Sequence, residues 1–98
     1  MSAYQAPLKD ITFTLNQICD LEGLLSLPKF AETDKETTEA VLEEAGKLAS
    51  GILAPLNRQG DTQGSTLANG VVTTPDGFRE AYAAFREGGW NGIPFDTE

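Results

Sequence analysis

The stretch from Thr33 to Asn57, TDKETTEAVLEEAGKLASGILAPLN, constrains the fold more than any other part of the chain, because it carries a full amphipathic-helix signature. Thr33 stands where an N-cap hydroxyl belongs, and Glu36 follows three residues later, the spacing of a capping box. At about 100° per residue, Val41, Leu42, Ala45, Leu48, Ala49, Ile52, Leu53 and Leu56 fall within an arc of about 140°. The opposite side carries Glu39, Glu43, Lys47 and Ser50, with Glu43 and Lys47 spaced for an i,i+4 ion pair. Glu32, Asp34, Glu36 and Glu39 crowd the N-terminal end, where the helix dipole favours anions. Pro55 lacks a backbone N–H and clashes with the carbonyl four residues earlier, so a kink is expected. The helix should then end between Ala54 and Gly60, with Arg58 near its C-terminal dipole. Ala40, Gly51 and Ala54 gather at roughly 220–280° on the same wheel, a patch where another helix can approach closely.

On either side of this helix the pattern is shorter-ranged. After an extended lead-in that ends at Pro7, the residues Leu8, Ile11, Leu15, Ile18 and Cys19 share an arc of roughly 100°, which predicts a short amphipathic helix from Leu8 to Cys19. Phe13 lies off that arc, as an exposed aromatic or as the mark of a second packing surface. From Asp20 to Glu32, Gly23 and Pro28 forbid a long helix, yet Leu21, Leu24, Leu25, Leu27 and Phe30 are strongly apolar. Such a connector either lies on the main helix or straps a neighbouring subunit or domain. Gly60 to Ser65 reads as a polar loop. Asn69-Gly70 between apolar residues then predicts a tight turn or small hairpin, because both turn positions require positive φ. Thr74, Pro75 and Asp76 make a second helix start, and Phe78, Ala81, Tyr82 and Phe85 place an aromatic stripe on a helix from about Pro75 to Glu87. Gly88 and Gly89 end it. Trp90 follows in a glycine-flanked loop from which a large side chain can reach a neighbour, and the final residues to Glu98 read as a chain interrupted rather than finished. The fold class expected is mainly all-α: three helices and a small β-hairpin or turn.

Charge and composition remove whole classes of function. Ninety-eight residues make at most one domain. A formal net charge of −8 and a pI near 4.3 argue against nucleic acid and anionic membranes, since each phosphate contact needs a cation. A single cysteine permits no internal disulfide and no paired-cysteine zinc site. No apolar stretch approaches the roughly 20 residues that span a bilayer, and no secretory leader is visible, so a cytoplasmic location is expected. Histidine is absent, which excludes Ser-His-Asp and Cys-His chemistry within the chain. Cys19, on an apolar face, reads as a buried small hydrophobe. The adjacent carboxylates Glu43-Glu44 and Asp20/Glu22 do not converge on one point, and DTQGSTLANG has neither EF-hand nor phosphate-loop spacing. No catalytic, cofactor-binding or metal-ligating residue is assigned.

Three stretches together resemble the N-terminal region of a bacterial branch of the acyl-CoA dehydrogenases. Tyr4, Ala6, Pro7, Leu8, Lys9 and Asp10 with Phe13, Leu15 and Asn16 are similar to that branch's leader pattern Y-x-A-P-L-R-D-x-x-F-x-L-N, with lysine at position 9 where arginine is usual. Leu53 to Arg58 with Gly60-Asp61 resembles the end of the family's first large helix. Val71 to Pro75, Gly77, Phe78 and Tyr82, then Gly88 to Gly92, resemble the approach to its next loop, with Ile93-Pro94-Phe95 a less typical continuation.

The resemblance implies a flavoenzyme of the fatty-acid β-oxidation type. It dehydrogenates the α,β bond of an acyl-CoA thioester with a glutamate base and FAD, passes electrons to an electron-transfer flavoprotein, and assembles as a homo-oligomer. It also implies that residues 1–32 form a leader module and residues 33–98 the start of the helical N-terminal domain. In the family the base and the flavin contacts lie in later domains, so this segment would contribute packing. The main helix would then be under-buried in isolation. Candidate interface residues are Phe13, Leu24, Leu25, Leu27, Phe30, Ala40, Gly51, Ala54 and Trp90. The alternative is a stand-alone acidic helical adaptor without redox activity.

Overall fold

The computed structural model describes residues 3 to 96, which are mainly helical with one two-stranded antiparallel hairpin. They form two compact units that meet in the chain between Ser50 and Gly51.

In the first unit, α1 (Leu8–Phe13) runs into a π turn at Thr14–Ile18 and is followed by α2 (Leu21–Leu25), a 3₁₀ turn at Pro28–Phe30, and α3 (Lys35–Leu48). Both short helices pack on α3. The closest approach is at Gly46, which is buried: a Cβ there would lie 3.1 Å from Leu8 Cδ1, so the missing side chain makes the seat for Leu8. α2 starts on Asp20, held in the left-handed region (φ 52°, ψ 57°), whose carboxylate accepts from the Gly23 N–H at 3.2 Å. A Cβ at Gly23 would run into that carboxylate, so the cap and the glycine require each other.

Two details of the sequence reading change here. The N-cap of α3 is Asp34, not Thr33: its backbone is extended and its Oδ1 accepts from the Thr37 N–H at 2.7 Å. Thr33 instead closes the preceding turn by donating its N–H to the Phe30 carbonyl. That shift moves Glu36 from the third helical position to the second, and the capping box does not form. Lys47 pairs with Glu44 at 2.9 Å, one turn back at i,i+3, rather than with Glu43. The Glu44 carboxylate raises the lysine pKa, with a smaller push from Glu43.

After α3 comes a second π turn, Ala49–Leu53, and then α4 (Ala54–Gln63). Pro55 falls in the first turn of α4, where its missing N–H costs little. An i→i+5 turn just ahead of a proline widens the spiral where the ring would otherwise strike a carbonyl. The helix therefore continues to Gln63 instead of ending by Gly60. Gly60 and Asp61 are helical rather than looped, and Arg58 sits mid-helix, not in the last turn.

The hairpin follows as expected, β1 (Thr66–Ala68) and β2 (Val71–Thr73) in the register Thr66–Thr73, Leu67–Val72 and Ala68–Val71. Asn69 (φ 53°) and Gly70 (φ 76°) both take positive φ, as a two-residue type I′ connection demands.

The last helix, α5 (Phe78–Glu87), begins three residues later than Pro75. Pro75 is buried and accepts from the Phe78 N–H at 3.2 Å, closing a turn whose third residue, Gly77, has φ 90° and ψ −18°. Those are type II values, which only glycine takes without strain. Beyond α5, a 3₁₀ turn at Trp90–Gly92 folds the indole back so closely that a Cβ at Gly88 would lie 2.6 Å from Trp90 Nε1.

Candidate functional site

The site with the most developed geometry lies within the second unit, between α4 and α5. Three contacts dock the helices. Gly60 lets the Phe78 ring lie on α4, a Cβ there coming within 2.7 Å of Cζ. Gly77 accommodates Leu56, again at 2.7 Å from a hypothetical Cβ. Gln63 Oε1 accepts from the Asp76 N–H at 3.0 Å, and also from the Gln59 side-chain amide one turn back, which orients it.

This docking leaves an open apolar cleft of about 290 Å³. Leu53, Leu56 and Asn57 line one wall; Phe78, Ala81, Tyr82 and Phe85 line the other. Tyr82 and Phe85 sit 6.5 Å apart, ring to ring. Ala81, at the bottom, is 6% exposed, while Tyr82 is 62% and Leu53 43% exposed. The aromatic stripe read from the sequence is thus half core and half open surface. A second, polar hollow is lined by Thr73, Thr74, Asp76, Arg79 and Glu80, all on the surface.

The residues marked as interface candidates are placed as follows. Phe13, Leu24 and Leu27 are exposed, whereas Leu25 and Phe30 are half-buried. Ala40 is exposed on α3, Gly51 is exposed inside the second π turn, and Ala54, half-buried, opens α4. A constant-pitch wheel does not run through a π turn, so these three small residues lie on three differently phased elements. Trp90 is half-buried against Gly88. The sequence reading missed the exposed apolar hairpin, with Leu67 at 72% and Val72 at 64%; the signal available was the run LANGVV itself, apolar on both faces.

Cys19 corrects an expectation: it is exposed, not buried. The π turn at Thr14–Ile18 adds a residue to the spiral and rotates Ile18 and Cys19 off the face of Leu8 and Ile11. Among the described residues, no three His, Cys, Asp or Glu side chains cluster as metal ligands, and no buried side-chain nitrogen or oxygen lacks a hydrogen-bond partner. No described helix is long and apolar enough to cross a membrane.

No protein-family model matches the chain. It is 35% identical over 95 residues to 3-methylmercaptopropionyl-CoA dehydrogenase of Ruegeria pomeroyi, an alignment covering 97% of this chain and 16% of that protein. It is 26% identical over 98 residues to a broad-specificity linear acyl-CoA dehydrogenase of Mycobacterium tuberculosis, covering 98% of this chain and again 16% of the relative. The chain thus spans about a sixth of the length of each.

Proposed function

We propose that this chain, which matches the N-terminal region of acyl-CoA dehydrogenases, is the opening segment of an FAD-dependent enzyme that introduces an α,β double bond into an acyl-CoA thioester. The observation that carries the reading is the identity of 35% running along 97% of the chain. The segment's own role in this reading is to complete the helical domain and, through the leader residues 1–32, to touch a neighbouring subunit of a homo-oligomer. Exposed Phe13, Leu24 and Leu27 support that role.

The α4–α5 cleft does not fit FAD. Asn57 and Tyr82 are the only cleft residues with polar side-chain atoms, and no cationic side chain lines it to meet a pyrophosphate. In this reading flavin, thioester, base and the electron-transfer flavoprotein engage other parts of the polypeptide, and no chemical step is assigned to residues of this segment.

The test is to purify the full-length product of the reading frame and record its visible spectrum before and after adding a saturated acyl-CoA. A flavin band that bleaches with substrate, with electrons delivered to an electron-transfer flavoprotein, is the expected result. A colourless, monomeric product indifferent to acyl-CoA overturns it in favour of the acidic adaptor.

A further inference from the structure

We propose that Asn69 is a site of spontaneous covalent modification, an asparagine whose side-chain amide is lost to attack by the Gly70 nitrogen when the β1–β2 hairpin opens. The inference stands on the hairpin alone and does not depend on the dehydrogenase reading.

The pair that makes the turn is also the pair that reacts. The Gly70 backbone nitrogen attacks Asn69 Cγ, the Cγ–Nδ2 bond breaks, and ammonia leaves with the Gly70 amide proton, which closes a succinimide ring. Water then opens the ring at either carbonyl, giving aspartate or, with the backbone rerouted through Cβ, isoaspartate. One water enters and one ammonia leaves, and nothing is oxidised or reduced. Glycine is the neighbour that permits the attack, because no side chain shields its nitrogen: even a Cβ at Gly70 would meet nothing within 4 Å. Asn69 and Gly70 are both exposed, and the Gly70 N–H reaches no acceptor among the described residues.

The closed turn holds the reaction off. Asn69 has φ 53°, and a type I′ turn keeps ψ at that position near about +30°, which sets the Gly70 nitrogen nearly trans to Cβ across the Cα–C bond. Ring closure needs the two eclipsed. The reaction therefore runs through opened hairpins, and this one opens readily: it is a sheet of two three-residue strands with every strand residue exposed.

The same chain supplies a contrast. Asn91-Gly92 repeats the reactive pair, but there the Gly92 N–H is committed to the Gly89 carbonyl at 3.0 Å, and Trp90 of the same turn is half-buried against Gly88. Asn16 and Asn57 precede Gln17 and Arg58 inside helical turns. Conversion at Asn69 adds a negative charge to a chain already at −8. The isoaspartate product also inserts a methylene into a two-residue connection, and the Ala68–Val71 pairing that the connection sets is lost.

The experiment holds the full-length protein in warm, mildly alkaline buffer and samples it over days. Peptide mass spectrometry reads the conversion of each asparagine to the acid, and labelling by an isoaspartyl methyltransferase reads the isoaspartate. Asn69 should convert several-fold faster than Asn16, Asn57 and Asn91, with isoaspartate among its products. A clamp tests the role of opening. Leu67 and Val72 face each other at the non-hydrogen-bonded position, where Cβ atoms come closest, so L67C/V72C in a Cys19→Ser background staples the hairpin when oxidised and frees it when reduced. The oxidised form should convert several-fold more slowly than the same protein reduced. Val72→Gly, which weakens the ladder without touching the turn, should raise the rate. Conversion at Asn69 no faster than at the other three asparagines overturns the proposal, and so does a rate indifferent to both the clamp and the glycine.

Discussion

Asp34 shows how a single side chain sets the start of the longest α-helix. Its carboxylate accepts from the Thr37 N–H at 2.7 Å, satisfying one of the donors that a helix start leaves unpaired. That hydrogen bond, followed by one from the Thr37 hydroxyl, holds its pKa below the ordinary aspartate value of 3.8. A group whose folded pKa is depressed contributes stability that is fully present above its unfolded value and fades as pH falls through the folded one. The helix start should therefore loosen on acidification below about pH 4. Asp34→Asn keeps a capping oxygen without a titrating charge, so its helical circular dichroism should stay flat through that window while the parent's declines. Asp34→Ala should lose helix at neutral pH as well. Equal acid limbs for the parent and the asparagine variant would remove Asp34 as the cause. Thr33 and Asp34 are both good caps on paper, and the sequence does not separate them. What separates them is the turn before the helix, where the Thr33 N–H is already committed to the Phe30 carbonyl.

At the scale of elements, the helices and the hairpin were legible, and the π turns were not. The apolar spacing located α3 and α5, and Asn69-Gly70 located the hairpin turn to the residue, because positive φ at two successive positions leaves few residue choices. A wheel of constant pitch cannot register an inserted residue, so the exposure of Cys19 and Ile18, and the split of the Thr33–Asn57 stretch into differently phased helices, lay beyond it. Leu56, read as part of that core face, packs at Gly77 within the second unit, while in the first unit the seat for Leu8 is Gly46, which lies outside the arc. The cleft shared this limit: its α5 wall was visible as the aromatic stripe, but its other wall combines Leu53 of the π turn with Leu56 and Asn57 of α4. If Pro55 is what holds the π turn in place, Pro55→Ala should let Ala49–Leu53 return toward α-helical hydrogen bonding. The variant should gain stability, by less than the ~3 kcal/mol of an unrelieved interior proline, since the wide turn has already removed part of that cost. Backbone chemical shifts of residues 49–55 and urea unfolding read the two effects. Unchanged shifts would mean that the turn is set by packing rather than by the proline.

For the whole molecule, the balance between what is buried and what is bare is the informative quantity. Among the described residues, Ala81 and Pro75 are the only apolar side chains below a tenth exposed, while Phe13 is 60%, Leu24 46% and Leu27 48% exposed in the leader alone. An acidic chain tolerates such surface because its charge opposes self-association, but the surface gains free energy only when something covers it. Burying a large apolar side chain completely is worth about 1.5–3 kcal/mol, so covering three that are about half exposed should contribute roughly 2–4 kcal/mol to whichever assembly does so. On the proposed reading, deleting residues 1–32 from the full-length protein should therefore lower its apparent melting temperature by several degrees, shorten its half-life on heating, and shift it toward smaller oligomers in analytical ultracentrifugation. Catalytic turnover measured immediately at low temperature should persist, because no base or flavin contact is assigned to the leader. Loss of heat stability with an unchanged oligomer would place the covering surface within one subunit, and no change in either would mean that Phe13, Leu24 and Leu27 stay bare in the full-length protein.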